Sequence, residues 1–208
     1  MASLDIPVEP TPDELLDPVR STIVQTALTL AERAGSWDAV HVHVVAREAG
    51  ISLAALRRHF QDKDDIAEGW FDIADAELLS AGTQAGWGEL EIRERLYRAI
   101  MAWLDALAPH RRLVGGMLRY KLHPEHLHLQ ARGIKRISRT VQWLRDVALM
   151  PSVGWRRELE EATLTTIYLT TFAYWLTDNS PGSQRTRRLL MRLLGSAERR
   201  AKWLGLGV

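Results

Sequence analysis

VHVVAREAGISLAALRRHFQDKDDIAEGWF, Val42 to Phe71, decides how the rest of the chain is read. Val42, Val45 and Ala46 recur at helical spacing, and Ala49-Gly50 ends that pattern at a residue suited to the left-handed backbone of a sharp turn. Ile51 supplies an apolar plug, and Ser52 is a natural N-cap for a second helix over Leu53–His59. Leu53, Leu56 and Phe60 share one face of that helix, with Arg57, Arg58 and His59 mostly on the other. Gln61-Asp62 interrupts the pattern, and Lys63-Asp64-Asp65 opens a third helix through Ile66, Trp70 and Ile73. Two helices joined by a short Gly turn, the second short and basic, form the layout of a helix-turn-helix reader.

Outward from this stretch the patterns stay helical. Asp17-Pro18 starts an earlier helix with Val19, Ile23, Ala27, Leu28 and Ala31 on one face and Gly35 as its stop, and Trp37 is placed to plug a three-helix core. This gives a small reading domain over 18–62. Residues 1–17 hold Pro7, Pro10 and Pro12 and no basic residue, and read as a flexible arm in which Thr11-Pro12-Asp13-Glu14 is a capping box for one helical turn. A helix from Lys63 to Ser80 leads into a body over 63–208, after a break at Gly82, Gly86 and Gly88 around Trp87. Ile92, Leu96, Ile100, Trp103, Leu104 and Leu107 make an amphipathic face that ends at Pro109, and a shorter piece runs from Arg112 to Leu122. Glu125 to Met150 carries the stripe Leu127, Ile134, Ile137, Val141 and Leu144. Glu158 to Thr177 is apolar on nearly every side, as expected of a helix buried all round, either in a core or between subunits. A basic helix closes the chain from about Arg185 to Trp203. The fold class expected is all-α.

Composition narrows the function. The 208 residues carry 46% hydrophobic and 25% charged side chains, ordinary for a globular protein, and no Cys, which removes disulfides and thiolate metal sites. The start lacks the basic and apolar segments of a secretion signal, and no run of 18 apolar residues exists; the expected location is the cytoplasm. Charge is segregated: residues 1–80 hold six Lys/Arg against fifteen Asp/Glu, a net −9, and residues 81–208 hold twenty-one against eleven, a net +10. His123, His126 and His128 in HPEHLH lack a shared helix face for a metal, and there is no Gly-x-Ser-x-Gly, reactive Cys or phosphate loop. No enzyme, metal or cofactor is indicated.

AREAGISLAALRRHFQDKDDI resembles the DNA-binding segment of the TetR family, through Ala46, Ala49-Gly50, Ser52, Leu56, His59-Phe60 and Lys63-Asp64. Where that family has Gly-Thr before the Leu and Tyr after it, this chain has Ala54-Ala55 and Arg57, and Val40-His41 replaces the usual Thr or Ser cap. The resemblance implies a TetR-like fold and a transcriptional regulator, a repressor that binds palindromic double-stranded operator DNA as a homodimer and is released by an apolar small molecule. Arg47, Ser52, Arg57, Arg58, His59 and Lys63 would then meet phosphates or guanine edges, with an anion site at the Lys63 amides. Leu53, Ala54 and Ala55 would meet bases through apolar contact. Trp103, Leu107, Met117, Tyr120, Trp143, Tyr168, Phe172 and Trp175 are the large apolar and aromatic side chains suited to a ligand chamber in the body.

A second resemblance covers most of residues 89–181. Ile92-Arg93-Glu94-Arg95, Leu107-Ala108-Pro109-His110-Arg111, and Tyr174-Trp175-Leu176 with Asp178 and Ser180 are similar to the ubiquinone-biosynthesis lipid-binding accessory family, which shares the TetR fold. It implies the alternative of a cavity for an isoprenoid or acyl chain in a protein that acts at a membrane surface without binding DNA. The last helix fits such contact, because Arg185, Arg187, Arg188, Arg192, Arg199, Arg200 and Lys202 accompany Leu189, Leu190, Leu193, Leu194, Trp203 and Leu206.

Overall fold

A computed structural model of the chain describes residues 17–121 and 127–205, the side chains of 118–132 excepted, and every regular element among them is helical. The helices are α1 (Pro18–Ala34), α2 (Val42–Glu48), α3 (Leu53–His59), α4 (Lys63–Ala81), α5 (Ile92–Leu107), α6 (Arg111–Lys121), α7 (Leu127–Val147), α8 (Trp155–Trp175) and α9 (Gln184–Trp203). The N-terminal arm to residue 16, Leu122, His123, Glu125, His126 and Leu206 lie outside the described residues, as do the side chains of Tyr120, Leu127 and His128. The chain divides into two compact units, Met1–Ile73 and Ala74–Val208, so α4 contributes to both.

The first unit is a small core with well-made helix ends. Asp17 caps α1 by accepting from Val19 N at 2.9 Å. Ile23, Val24, Ala27, Leu28 and Ala31 of α1 are buried with Trp37, Val40, Val45, Leu56 and Phe60. Val19, expected on the same face, is exposed in the first turn, and Val24 takes an inward place that the pattern did not predict. Between α2 and α3 the chain makes a Schellman turn: Gly50 sits at φ +70°, Gly50 N donates to Arg47 O, and Ile51 N donates to Ala46 O. Only a glycine takes that backbone without strain. Ser52 Oγ then accepts from Ala55 N at 3.1 Å and starts α3. A Cβ on Gly69 would stand 2.6 Å from Phe60 Cε1, so the missing side chain lets α4 close on Phe60 at the end of α3.

In the second unit α5 contacts α7, α8 and α9, and α8 lies against both α7 and α9. Leu96, Ile100, Trp103, Leu104 and Leu107 fill the middle from α5, met by Val141 and Leu144 of α7 and by Leu164, Ile167 and Tyr168 of α8. Trp87, inside the glycine-rich break, is buried and donates its Nε1 to Val147 O at 2.7 Å, which ties the break to the end of α7. One expectation is corrected. Ile134 is 69% exposed, so among the described stripe residues of α7 the buried ones are Val141 and Leu144. Of the two kinds of burial expected for α8, a core within the single chain covers only part of it, because Leu159, Leu169 and Tyr174 are exposed.

Candidate functional site

The reading helix α3 offers one face to solvent. Ser52, Leu53, Ala54, Arg57 and Arg58 are exposed, Ala55 is half-buried, and Leu56 anchors the helix in the core. Arg47, one turn before the bend, is exposed and pairs with Glu48 at 3.2 Å. Arg57 folds back to donate to Gln61 O at 2.9 Å. Arg58 has no hydrogen bond or ion pair among the described residues, so its guanidinium keeps all its donors for a partner.

Other residues expected at this surface have internal tasks. His59 Nδ1 lies 3.0 Å from Asp17 Oδ2, which joins the end of α3 to the start of α1. Lys63 Nζ donates to Asp38 O at 3.3 Å and Trp37 O at 3.5 Å, so its charge is turned onto the loop after α1. The anion site expected at the start of α4 is taken by the chain itself. Asp62 Oδ1 accepts from Asp65 N at 2.7 Å, and Asp65 Oδ2 accepts from Gln61 N at 2.9 Å. Burial pushes the Asp65 carboxyl up, against the opposing pull of that amide.

Arg20 is a positioning residue that the sequence patterns did not single out. Its Nη1 donates to His59 O at 2.7 Å, its Nη2 lies 3.5 Å from buried Asp72, and its guanidinium covers the Phe60 ring at 4.2 Å. One cation thus fixes the last turn of α3 through a carbonyl, a carboxylate and a ring. A lone charged residue ahead of the uncharged run 21–31 of α1 was the available signal.

The second unit gathers most of the aromatic residues expected around a ligand. Trp103 meets Tyr168 and Phe172 edge-on at 5.3 and 5.5 Å, Phe172 stacks on Tyr168 at 6.3 Å and on Trp175 at 6.0 Å. Leu107 and Met117 are also buried, whereas Trp143 is 39% exposed and lines a surface groove with Leu79, Trp87 and Leu149. Within the aromatic cluster lies a polar knot. Asp75 Oδ1 accepts from Trp103 Nε1 at 2.8 Å and Thr140 Oγ1 at 3.1 Å, and Asp75 Oδ2 lies 3.4 Å from Arg136 Nη2. Burial, and then the Asp75 charge, push the Tyr168 phenol well above its ordinary range, so it stays a neutral hydroxyl.

Two of the three stretches behind the lipid-protein resemblance meet at Arg111. Its guanidinium covers the Trp175 ring at 4.4 Å, donates to Asp178 O, and donates to Ser183 Oγ at 2.6 Å. Asp178 is buried and locks the α8–α9 turn by accepting from Ser180 N, Ser180 Oγ, Thr186 N and Thr186 Oγ1. Burial alone raises the Asp178 pKa, but those four hydrogen bonds together hold it well below the usual carboxylate range. On α9, Leu190 and Leu194 face inward, while Arg185, Arg188, Arg192, Arg199, Arg200 and Lys202 are exposed beside Trp203 at 86%. Among the described residues no cluster of three or more His, Asp or Glu is arranged to hold a metal, and no helix is long and apolar enough to cross a membrane.

Comparison with known proteins gives two results of different reach. Residues 160–200, from α8 into α9, match the family model of COQ9, a TetR-fold lipid-binding accessory family. The solved structure of the TetR transcriptional regulator from Nitrosomonas europaea ATCC 19718 is 42% identical, with a TM-score of 0.77, over 87% of this chain and 98% of that one. No curated protein matches the chain.

Proposed function

The chain belongs to the TetR family, and from that premise we propose that it is a transcriptional regulator, a homodimer that sets α3 into the major groove of operator DNA. The observation that carries this reading is the exposed face of α3, where Ser52, Leu53, Ala54 and Arg58 stand outward on a helix anchored by Leu56 and Phe60. Arg58 is the residue with a guanidinium open for a guanine edge or a phosphate. Arg57 reads DNA only by giving up its bond to Gln61 O. Dimerisation uses α8 and α9, whose exposed Leu159, Leu169, Tyr174 and Met191 favour burial against a second copy. An apolar small molecule in the aromatic core of the second unit is the releasing ligand.

The test is a mobility shift on the upstream region of the protein's own operon, repeated over a salt series. Wild type binds less tightly as salt rises, and Arg58→Ala weakens binding by about 1–3 kcal/mol, more than Arg57→Ala does. Salt-independent binding, or no effect of either substitution, removes the regulator reading.

A second reading has its own observation, the match of residues 160–200 to COQ9 together with the basic outer face of α9 and its exposed Trp203. It makes the chain a lipid-binding accessory protein at an anionic membrane surface. Binding to vesicles containing anionic lipid, lost on truncation after Pro181, supports it; vesicle binding untouched by that truncation counts against it.

A further inference from the structure

Trp175 is fully buried, yet its Nε1 has no hydrogen-bond partner among the described residues. Trp103, in the same aromatic cluster, shows the ordinary solution, an Nε1 donated to a carboxylate at 2.8 Å. A buried donor without an acceptor has given up water and received nothing in exchange, so native cores keep few of them. Two neighbours define the surroundings of Trp175. Phe172 stacks on it at 6.0 Å and is only half-buried, so the stack of rings runs from the surface of the unit to the indole. Arg111 covers the ring at 4.4 Å; its Nη1 and Nη2 are held by Asp178 O and Ser183 Oγ, its buried Nε is a second donor without a partner among the described residues, and it offers the indole no acceptor. Trp37 of the first unit has a similarly unpaired Nε1, but no ring contact with it exists among the described residues.

We propose that the second unit takes an apolar ligand bearing one neutral hydrogen-bond acceptor, a carbonyl or ether oxygen, and that Trp175 Nε1 receives that oxygen. Phe172 is the ring that shifts to admit it. A neutral oxygen is the acceptor assigned to the indole because an N–H by itself does not offset the burial of a carboxylate or phosphate. This assignment rests on the reading of the second unit as a ligand-binding body.

The probes are 2-acetylnaphthalene and 2-ethylnaphthalene, which share shape and differ by the carbonyl, titrated calorimetrically into the full-length chain. Wild type prefers the ketone by about three- to tenfold, the worth of one net hydrogen bond. In Trp175→Phe that preference disappears while 2-ethylnaphthalene still binds. Equal affinities in wild type, or a ketone preference that survives in Trp175→Phe, overturn the assignment and leave the ligand-binding body standing. If neither probe binds wild type, the body reading falls and this one with it. Benzothienylalanine at position 175 keeps the indole shape and replaces N–H by sulfur. Its ligand-free melting temperature stays level or rises if the donor is unpaired, and a fall of several degrees overturns the assignment.

Discussion

Asp72 and Asp75 lie one turn apart on α4, both buried, and each serves a different unit. Asp72 receives Arg20 at a seam between α4 and α1, where the same guanidinium reaches the His59 carbonyl at the end of short α3. Asp75 sits among rings and receives Trp103, Thr140 and Arg136 from α5 and α7. In the first unit, then, polar side chains fasten backbone ends at the edge of a small core. In the second, a charged knot lies inside the core and joins helices far apart in sequence. The same residue type one turn on has become a central acceptor, and its loss should cost correspondingly more.

Asp75→Ala tests that most severely. Removing the acceptor from a buried pair strands its partners in a low-dielectric core, so the second unit should lose about 3–5 kcal/mol in chemical denaturation. A loss below that of any first-unit variant would erase the contrast. Gly69→Ala is the corresponding blow to the first unit. Its Cβ would meet Phe60 at 2.6 Å and Val24 at 3.3 Å, and overpacking of this kind costs about 1–3 kcal/mol. The end of α3 should loosen with it, read as faster amide exchange over 56–60.

The helices and the turn were legible because their causes are local. Gly50, the Ser52 cap and the Leu56–Phe60 face each act within a few residues, and α3 has the bounds that those signals predict. The expected site was legible only in part. Lys63 and His59 read as surface cations, yet Lys63 turns to carbonyls at 37 and 38 and His59 to Asp17. Such partners lie tens of residues away, and no periodicity announces them. The place of Trp143 outside the aromatic cluster was hidden for a related reason: an aromatic residue at helical spacing says which helix carries it, not whether the neighbouring helix covers it. Asp75 and Asp72 left a trace, carboxylates inside the apolar run Trp70, Ala74, Leu78, which marks a buried partner without naming it.

Acid sharpens the comparison from the second unit. Asp178 is held ionised in the fold well below the pKa of about 3.9 that it has unfolded, so it contributes stability above that value and loses it as pH falls toward the folded pKa. Below about pH 4 the wild type should lose up to about 1.4 kcal/mol per pH unit on account of this group. Asp178→Asn should flatten that part of the curve while starting from lower stability at pH 7. Identical slopes for the two chains between pH 4 and 2 would mean that the α8–α9 turn does not hold the carboxylate as its four bonds suggest.

Ser52→Ala is the gentlest test and the most local. Ser52 Oγ satisfies Ala55 N at the start of a seven-residue helix, and loss of such a cap costs about 1 kcal/mol. A helix this short has no stability of its own and depends on its cap and on the Leu56 and Phe60 anchors. Amides of α3 should therefore exchange about fivefold faster, the factor that 1 kcal/mol represents, while those of α5 and α8 keep their wild-type rates. Equal acceleration in both units would mean that they open together, and the division into seam-held and core-held polarity would then describe geometry without describing separate stabilities.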